Sequence, residues 1–217
     1  MKNTPKTKDL LIESAGELFA DSGFEAVSTR MIADKAGVKL SAIHYHFGTK
    51  ENLYSEACIT SLQRSETISF AVILNENPGL MATPAGQAEI IRTQVFRSFH
   101  HFHRAGRPEW ETKIILREIV NPTTAMERLV EESFKPDVES SMNFYQQINP
   151  GATDEEAAAW SDLLYGPLIF YKVAHQAIQM TRPNLPLDDA FFQTTATKLA
   201  RAMILEAGLP LPADLQE

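Results

Sequence analysis

Apolar residues recur along the chain at intervals of three and four and nowhere alternate over a strand-length run, so the elements they predict are helices. Leu11, Ala15, Leu18 and Phe19 make one face of a helix over about residues 7–22, which Gly23, suited to a left-handed cap, brings to an end. Ser28 and Thr29 can cap a second short helix through Ala36, and Gly37 stops it. Ile43 and Phe47 mark a third, beginning two or three residues later. Two short helices joined by a glycine turn are the result. Thr49 caps a fourth helix carrying Leu53, Tyr54, Ala57 and Leu62, expected to run until the Asn-Pro-Gly break of residues 75–79.

Residues 75–86, with two prolines and two glycines, read as a connecting loop. Every long segment after it is again helical. One helix spans 87–105 before Gly106, and a second opens at Pro108 and closes at Asn121-Pro122. A third starts from a Thr124/Glu127 capping box and should kink or split at Pro136. Thr153 and Glu156 cap an alanine-rich helix with Trp160, Leu163, Leu164, Leu168 and Tyr171, expected to break at Gly166-Pro167; the last helix covers 188–207 and ends at Gly208. The fold class is all-α. The division expected is a helix-turn-helix domain over 1–55 followed by a larger helical domain over 56–217.

With 217 residues, 44% apolar and 22% charged, the chain can bury a core, which excludes wholesale disorder. A single cysteine, Cys58, excludes a disulfide framework or a multi-cysteine zinc site and points to a reducing, cytoplasmic setting. It reads as a small buried apolar residue, with redox sensing as the sharper alternative. No signal-like apolar segment and no run of about 18 apolar residues occurs, so no membrane association is expected.

The formal charge of −8 rules out a polycation that wraps nucleic acid by bulk attraction, so a nucleic-acid site would have to be local. One segment qualifies. Residues 28–50 hold Arg30, Lys35, Lys39 and Lys50 against Asp34 alone, a local +3 that leaves −11 on the other 194 residues. If Ile43 and Phe47 face inward with Val38, then Leu40, Ser41, His44 and Tyr45 point outward, where donors and an apolar tip could meet base edges.

At these residues the chain resembles the TetR family of transcriptional regulators, through Thr29, Ile32-Ala33, Ala36-Gly37-Val38, Tyr45-His46-Phe47 and Lys50, with Lys50 to Leu53 opening the next helix. The resemblance covers roughly residues 8–55. It implies Thr29 and Lys50 as phosphate contacts, and Arg30, Leu40, Ser41, Ala42, Tyr45 and His46 as base or phosphate neighbours, beside Lys39 of the cationic patch. His44 stands where the family usually has a phosphate-contacting tyrosine, so either that imidazole or Tyr45 takes the contact. The remainder resembles the CecR branch, through LREIVNPT and the late Tyr-Gly-Pro helix. That implies a homodimer which binds a double-stranded DNA operator and responds to a small-molecule effector.

A palindromic operator, repression and an apolar effector are the expectations that follow. Aromatic and methionine side chains that could line an effector site are Phe96, Phe99, Trp110, Met126, Tyr165, Phe170 and Met180, with Gln94, His103 and His175 as polar anchors. The same residues read equally as ordinary core. The dimer is expected from two stripes, Trp160, Leu164, Leu168 and Tyr171 on one helix and Phe192, Ala196, Leu199 and Met203 on the other. His100, His101 and His103 suggest a metal site, but no paired carboxylate or cysteine lies nearby, and pocket-lining imidazole is the plainer reading. No nucleophile elbow, phosphate loop, dinucleotide fingerprint or Glu-X-X-His element is present, so neither an enzyme nor a cofactor is expected. The rival is a helical ligand- or partner-binding protein with weak DNA affinity.

Overall fold

The computed structural model describes residues 6–63, 68–103 and 107–216, and its regular elements there are all helices or helical turns. They group into two compact units, Met1–Arg64 with Pro108–Lys135, and Ser65–Arg107 with Pro136–Glu217. Among the described residues no helix is long and apolar enough to cross a membrane.

In the first unit α1 (Thr7–Ser22) buries Leu11, Ile12, Ala15 and Phe19. Burial of each large side chain is worth about 2 kcal/mol, enough to hold a helix whose polar face alone would not. Gly23 takes φ 81°, and its N–H donates to the Phe19 carbonyl at 2.9 Å. Ser28 caps α2 (Thr29–Ala36) by accepting from Met31 N at 3.2 Å, and Gly37 closes it in the left-handed region. After that turn α3 (Ser41–Phe47) buries only Ile43 and Phe47. Thr49 Oγ1 caps α4 (Lys50–Gln63). This helix does not continue to residue 75. Ser69 instead caps a separate α5 (Phe70–Glu76), beyond residues 64–67, which lie outside the described set.

The 55/56 division gives way to a larger first unit because α7 (Glu109–Val120) and α8 (Ala125–Leu129) supply Trp110, Ile114, Ala125 and Leu129 to the same core. Arg117 donates to the carbonyls of Ala20 (2.6 Å) and Asp21 (2.8 Å), satisfying the open C-terminal end of α1 from another helix. The Thr124/Glu127 capping box does not form. Thr124 is itself helical, and Thr123 Oγ1 accepts from Ala125 N at 3.1 Å. Pro136 does not break the chain's helical course either: a π-helical turn, Val130–Phe134, precedes α9 (Lys135–Ile148), and the wider turn accommodates a ring that has no N–H to give.

The second unit begins with α5, a 3₁₀ turn (Pro78–Ala82) and α6 (Pro84–His103), so the expected loop over 75–86 is largely ordered as helical turns; Gly106 lies outside the described residues. It is completed by α9, α10 (Asp154–Val173), α11 (His175–Thr181) and α12 (Asp189–Glu206). The Thr153/Glu156 capping box forms as expected. Pro167 leaves α10 continuous, contrary to the expected break: Leu164 and Leu168 anchor it on either side, while Leu163, whose carbonyl loses its donor, is exposed to water. Phe144 stacks on Phe70 at 4.8 Å, Tyr145 on Trp160 at 4.9 Å, and Trp160 Nε1 donates to the Met203 carbonyl at 3.2 Å.

The stripes expected to form a dimer face therefore turn inward. Trp160, Leu164, Leu168, Ala196 and Met203 are buried in this core, and Tyr171, Phe192 and Leu199 pack against it. The apolar residues left outside on α10 are Leu163, Ile169, Phe170 and Val173, the last 63% exposed.

Candidate functional site

The α2–turn–α3 segment forms the candidate reading head. Gly37 at φ 66° lets the chain reverse, and the Val38 N–H reaches back to the Ala33 carbonyl at 3.0 Å, closing the turn. With Ile43 and Phe47 pinned to the core beneath, seven-residue α3 has its other face free. Lys39, Leu40, Ser41, His44, Tyr45 and His46 are exposed, Tyr45 by 84%. Arg30 is exposed on α2, its guanidinium 4.0 Å from Asp34; Thr29 is half-buried, and Ala42 packs partly on the core. So seven of the ten expected DNA residues, all but the half-buried Thr29, Ala42 and Lys50, are exposed on one short helical pair or its turn.

Lys50, also expected as a phosphate contact, is half-buried. Its ammonium donates to the carbonyls of Phe24 (2.9 Å) and Val27 (3.0 Å) and sits 4.1 Å from the centre of the Phe24 ring, tying α4 to the loop between α1 and α2. Lys35 is likewise engaged, 2.9 Å from Glu17. The surface field of the segment is therefore smaller than its formal +3, and Arg30 and Lys39 are the cations left most open on it. His44 Nδ1 lies 3.0 Å from the Gly48 carbonyl, which assigns the proton to that nitrogen and fixes the ring at the end of α3.

Two features beneath the head have no counterpart in the sequence reading. Phe19, Phe24 and Tyr54 form a ring cluster with centroids 5.0–5.8 Å apart. Tyr54 Oη then donates at 2.8 Å to Glu118, a wholly buried carboxylate that also accepts from Thr123 N (2.8 Å) and Thr123 Oγ1 (3.1 Å). The available signal was periodicity: Trp110, Ile114 and Glu118 share one stripe at four-residue spacing, and an acid in that stripe is out of place. Cys58, fully buried on α4, has its thiol pushed up to about 12 by burial and by the Glu118 charge. It should stay unmodified by a thiol reagent in the native protein and react only at the unfolding rate, checked by following labelling against denaturant.

Of the ten residues expected around an effector, Phe96, Phe99 and His103 come together. They line a cleft of about 270 Å³ between α6 and α12, closed on the other side by Phe192, Gln193 and Ala196, with His100 and Asp189 also on its wall. Gln94 is buried on α6, and Tyr165 packs against the second core. The others do not join them. Trp110 and Met126 belong to the first unit, His175 is exposed, and Phe170 and Met180 are 51% and 77% exposed. The three histidines diverge as well, His101 buried and His100 exposed, and among the described residues no group of three His, Cys, Asp or Glu is placed to hold a metal.

A two-helix head with an outward polar face, carried by one helical unit and followed by a second, defines a helix-turn-helix regulator. The model of bacterial regulatory proteins of the tetR family matches residues 11–57, and that of the C-terminal domain of the HTH-type transcriptional dual regulator CecR matches residues 88–207. The chain belongs to the TetR family of transcriptional regulators and carries a CecR-type second domain. It is 31% identical to the dual regulator CecR of Shigella flexneri over 134 residues, 60% of this chain and 59% of that protein. It is 33% identical to the transcriptional repressor AcnR of Corynebacterium glutamicum over 79 residues, 36% of this chain and 39% of that one. The matches thus span between about two and three fifths of these relatives. A TerR/AcrR-family regulator from Aquifex aeolicus shares the fold at 18% identity, with a TM-score of 0.56 over 92% of this chain and 99% of that one.

Proposed function

We propose that the chain acts as a homodimeric repressor, with α3 in the major groove of each half of a palindromic operator, and that a small-molecule effector held by the second unit releases it. The observation that carries the reading is the open face of α3, where Leu40, Ser41 and His46 are free to meet base edges while Ile43 and Phe47 are fixed beneath. Tyr45 takes the phosphate contact in preference to His44, whose Nδ1 is committed to Gly48. Lys50 acts as a buttress that holds the head in shape.

Titration against duplex DNA at several salt concentrations tests the assignments. Lys39→Ala should lower the slope of log K against log salt by ~1.8, the loss of one neutralised phosphate in each half of the operator. Lys50→Met should leave that slope unchanged and lower stability by about 2 kcal/mol, as the Phe24 and Val27 carbonyls lose their charged donor. A slope that falls with Lys50→Met and not with Lys39→Ala would reverse the two roles.

The exposed α10 stripe of Leu163, Phe170 and Val173 supports dimerisation, since residues at i, i+7 and i+10 share a face that a symmetric copy would cover. Phe170→Glu should yield a monomer by light scattering at micromolar concentration. The chain passes between the two units at three places, so repacking of the second unit has covalent routes to the first. Repression is favoured by the similarity to the repressor AcnR, and a reporter assay separates it from dual regulation of the CecR kind.

A further inference from the structure

His103 is the exceptional group in the α6–α12 cleft. Its ring lies flat on Phe192, with centroids 3.8 Å apart and planes 9° from parallel, and Phe99 and Tyr171 pack within 6.2 Å of it. Its Nε2 is buried with no hydrogen-bond partner among the described residues. A buried polar atom left this way is costly unless something arrives to meet it.

The surroundings decide what that is. Burial, with Lys172 and Arg107 nearby, pushes the imidazole down to about 3, so the ring is neutral at any physiological pH. A place that refuses a proton on its own histidine refuses other cations for the same reasons. Asp189 on the cleft wall offsets the nearby Lys172 and Arg107 charges, so an ion of either sign meets a like charge as well as an opposite one. The rest of the lining is largely aromatic, from Phe96, Phe99 and Phe192. At ~30 Å³ for each water in the liquid, 270 Å³ has room for about nine, below the 300–1,000 Å³ of sites for drug-sized ligands. One or two rings fill it.

We propose that this cleft binds a small uncharged aromatic carrying a hydroxyl group, a phenol, with the ring among Phe96, Phe99 and Phe192 and the hydroxyl on His103 Nε2. A hydroxyl both donates and accepts, so it satisfies that nitrogen in either tautomer of the neutral ring. The inference gives a chemical class to the effector proposed above, and rests on that reading only for its effect on DNA binding.

The test is calorimetric titration of the full chain with phenol, benzene, benzoate and benzylammonium, alongside ¹⁵N spectra of its histidines. Phenol should bind at least tenfold more tightly than the other three and shift the His103 Nε2 resonance. His103→Phe keeps a ring against Phe192 but no nitrogen; it should lose about tenfold in phenol affinity and hold benzene as well as before. Equal affinity for phenol and benzene, a preference for either ion, or an unmoved His103 resonance would overturn the proposal, and the spectra of the native protein decide it even if the variant misfolds. Operator binding is read separately. Phenol that binds without weakening the DNA complex leaves the cleft assignment standing and refutes the effector reading; no phenol binding, with DNA release by another compound, does the reverse.

Discussion

Gly16→Ala is expected to destabilise the protein by about 2–3 kcal/mol, although alanine in a helix interior ordinarily gains up to ~1 kcal/mol over glycine. A Cβ at this position in α1 would lie 2.3 Å from Cε3 of Trp110 and 2.5 Å from Cζ3. The indole cannot swing clear. It is 5% exposed, and its Nε1 donates to Glu13 at 3.0 Å, so the added methyl forces a packed ring and a hydrogen bond to move together. Denaturant midpoints of Gly16→Ala, Trp110→Leu and the double variant check the account. The double variant should cost less than the two single changes summed, because the smaller side chain leaves room for the methyl. Strict additivity would show that α1 and α7 do not meet in this way.

The second large effect belongs to Glu118. Truncation to alanine strands the Tyr54 hydroxyl and the Thr123 N–H in a buried site, at a cost of about 1–3 kcal/mol for each donor, so a fall of about 4 kcal/mol is expected. Glu118→Gln retains an acceptor and should lose less than half as much. Tyr54→Phe, destabilising in the native background, should be nearly neutral in Glu118→Ala, because its hydroxyl has by then lost its partner. The measurement is urea unfolding of the native chain and these four variants, followed by tryptophan fluorescence. A full-sized Tyr54→Phe effect without Glu118 would mean that the hydroxyl is stabilised by some group other than Glu118.

What the chain's pattern disclosed and what it withheld divide along physical lines. Most local signals held: α1 was expected over about 7–22 and spans Thr7–Ser22, and Ser28, Gly37 and the Thr153/Glu156 box act where their chemistry placed them, whereas the Thr124/Glu127 box does not form. These depend on contacts within a few residues. The open face of α3 was legible for the same reason, since four-residue spacing of Ile43 and Phe47 leaves only one side for Ser41 and Tyr45.

Long-range contacts were not legible. Trp110 reads as an aromatic available to a ligand, yet it fills a space opened by Gly16, ninety-four positions earlier. Lys50 counts as a surface charge until the carbonyls of Phe24 and Val27 are seen to take it. The inward turn of Trp160 and Leu164 has a similar cause, because α10 is apolar on more than one side and periodicity alone does not choose which side a partner covers. Proline breaks were overestimated at Pro136 and Pro167, where a wider turn and flanking buried residues carry the helix through.

Everything proposed about DNA rests on the outward face of α3, and selection of bound sequences from a pool of random duplexes tests it most directly. The native chain should enrich one inverted repeat, two identical half-sites related by the dimer's two-fold axis. Ser41→Ala and Leu40→Ala should relax the preference within each half-site and leave the spacing between halves unchanged. Recovery of no preferred sequence by the native chain, or of the same sequence with the same stringency by both variants, would contradict the assignment of α3 as the reading helix.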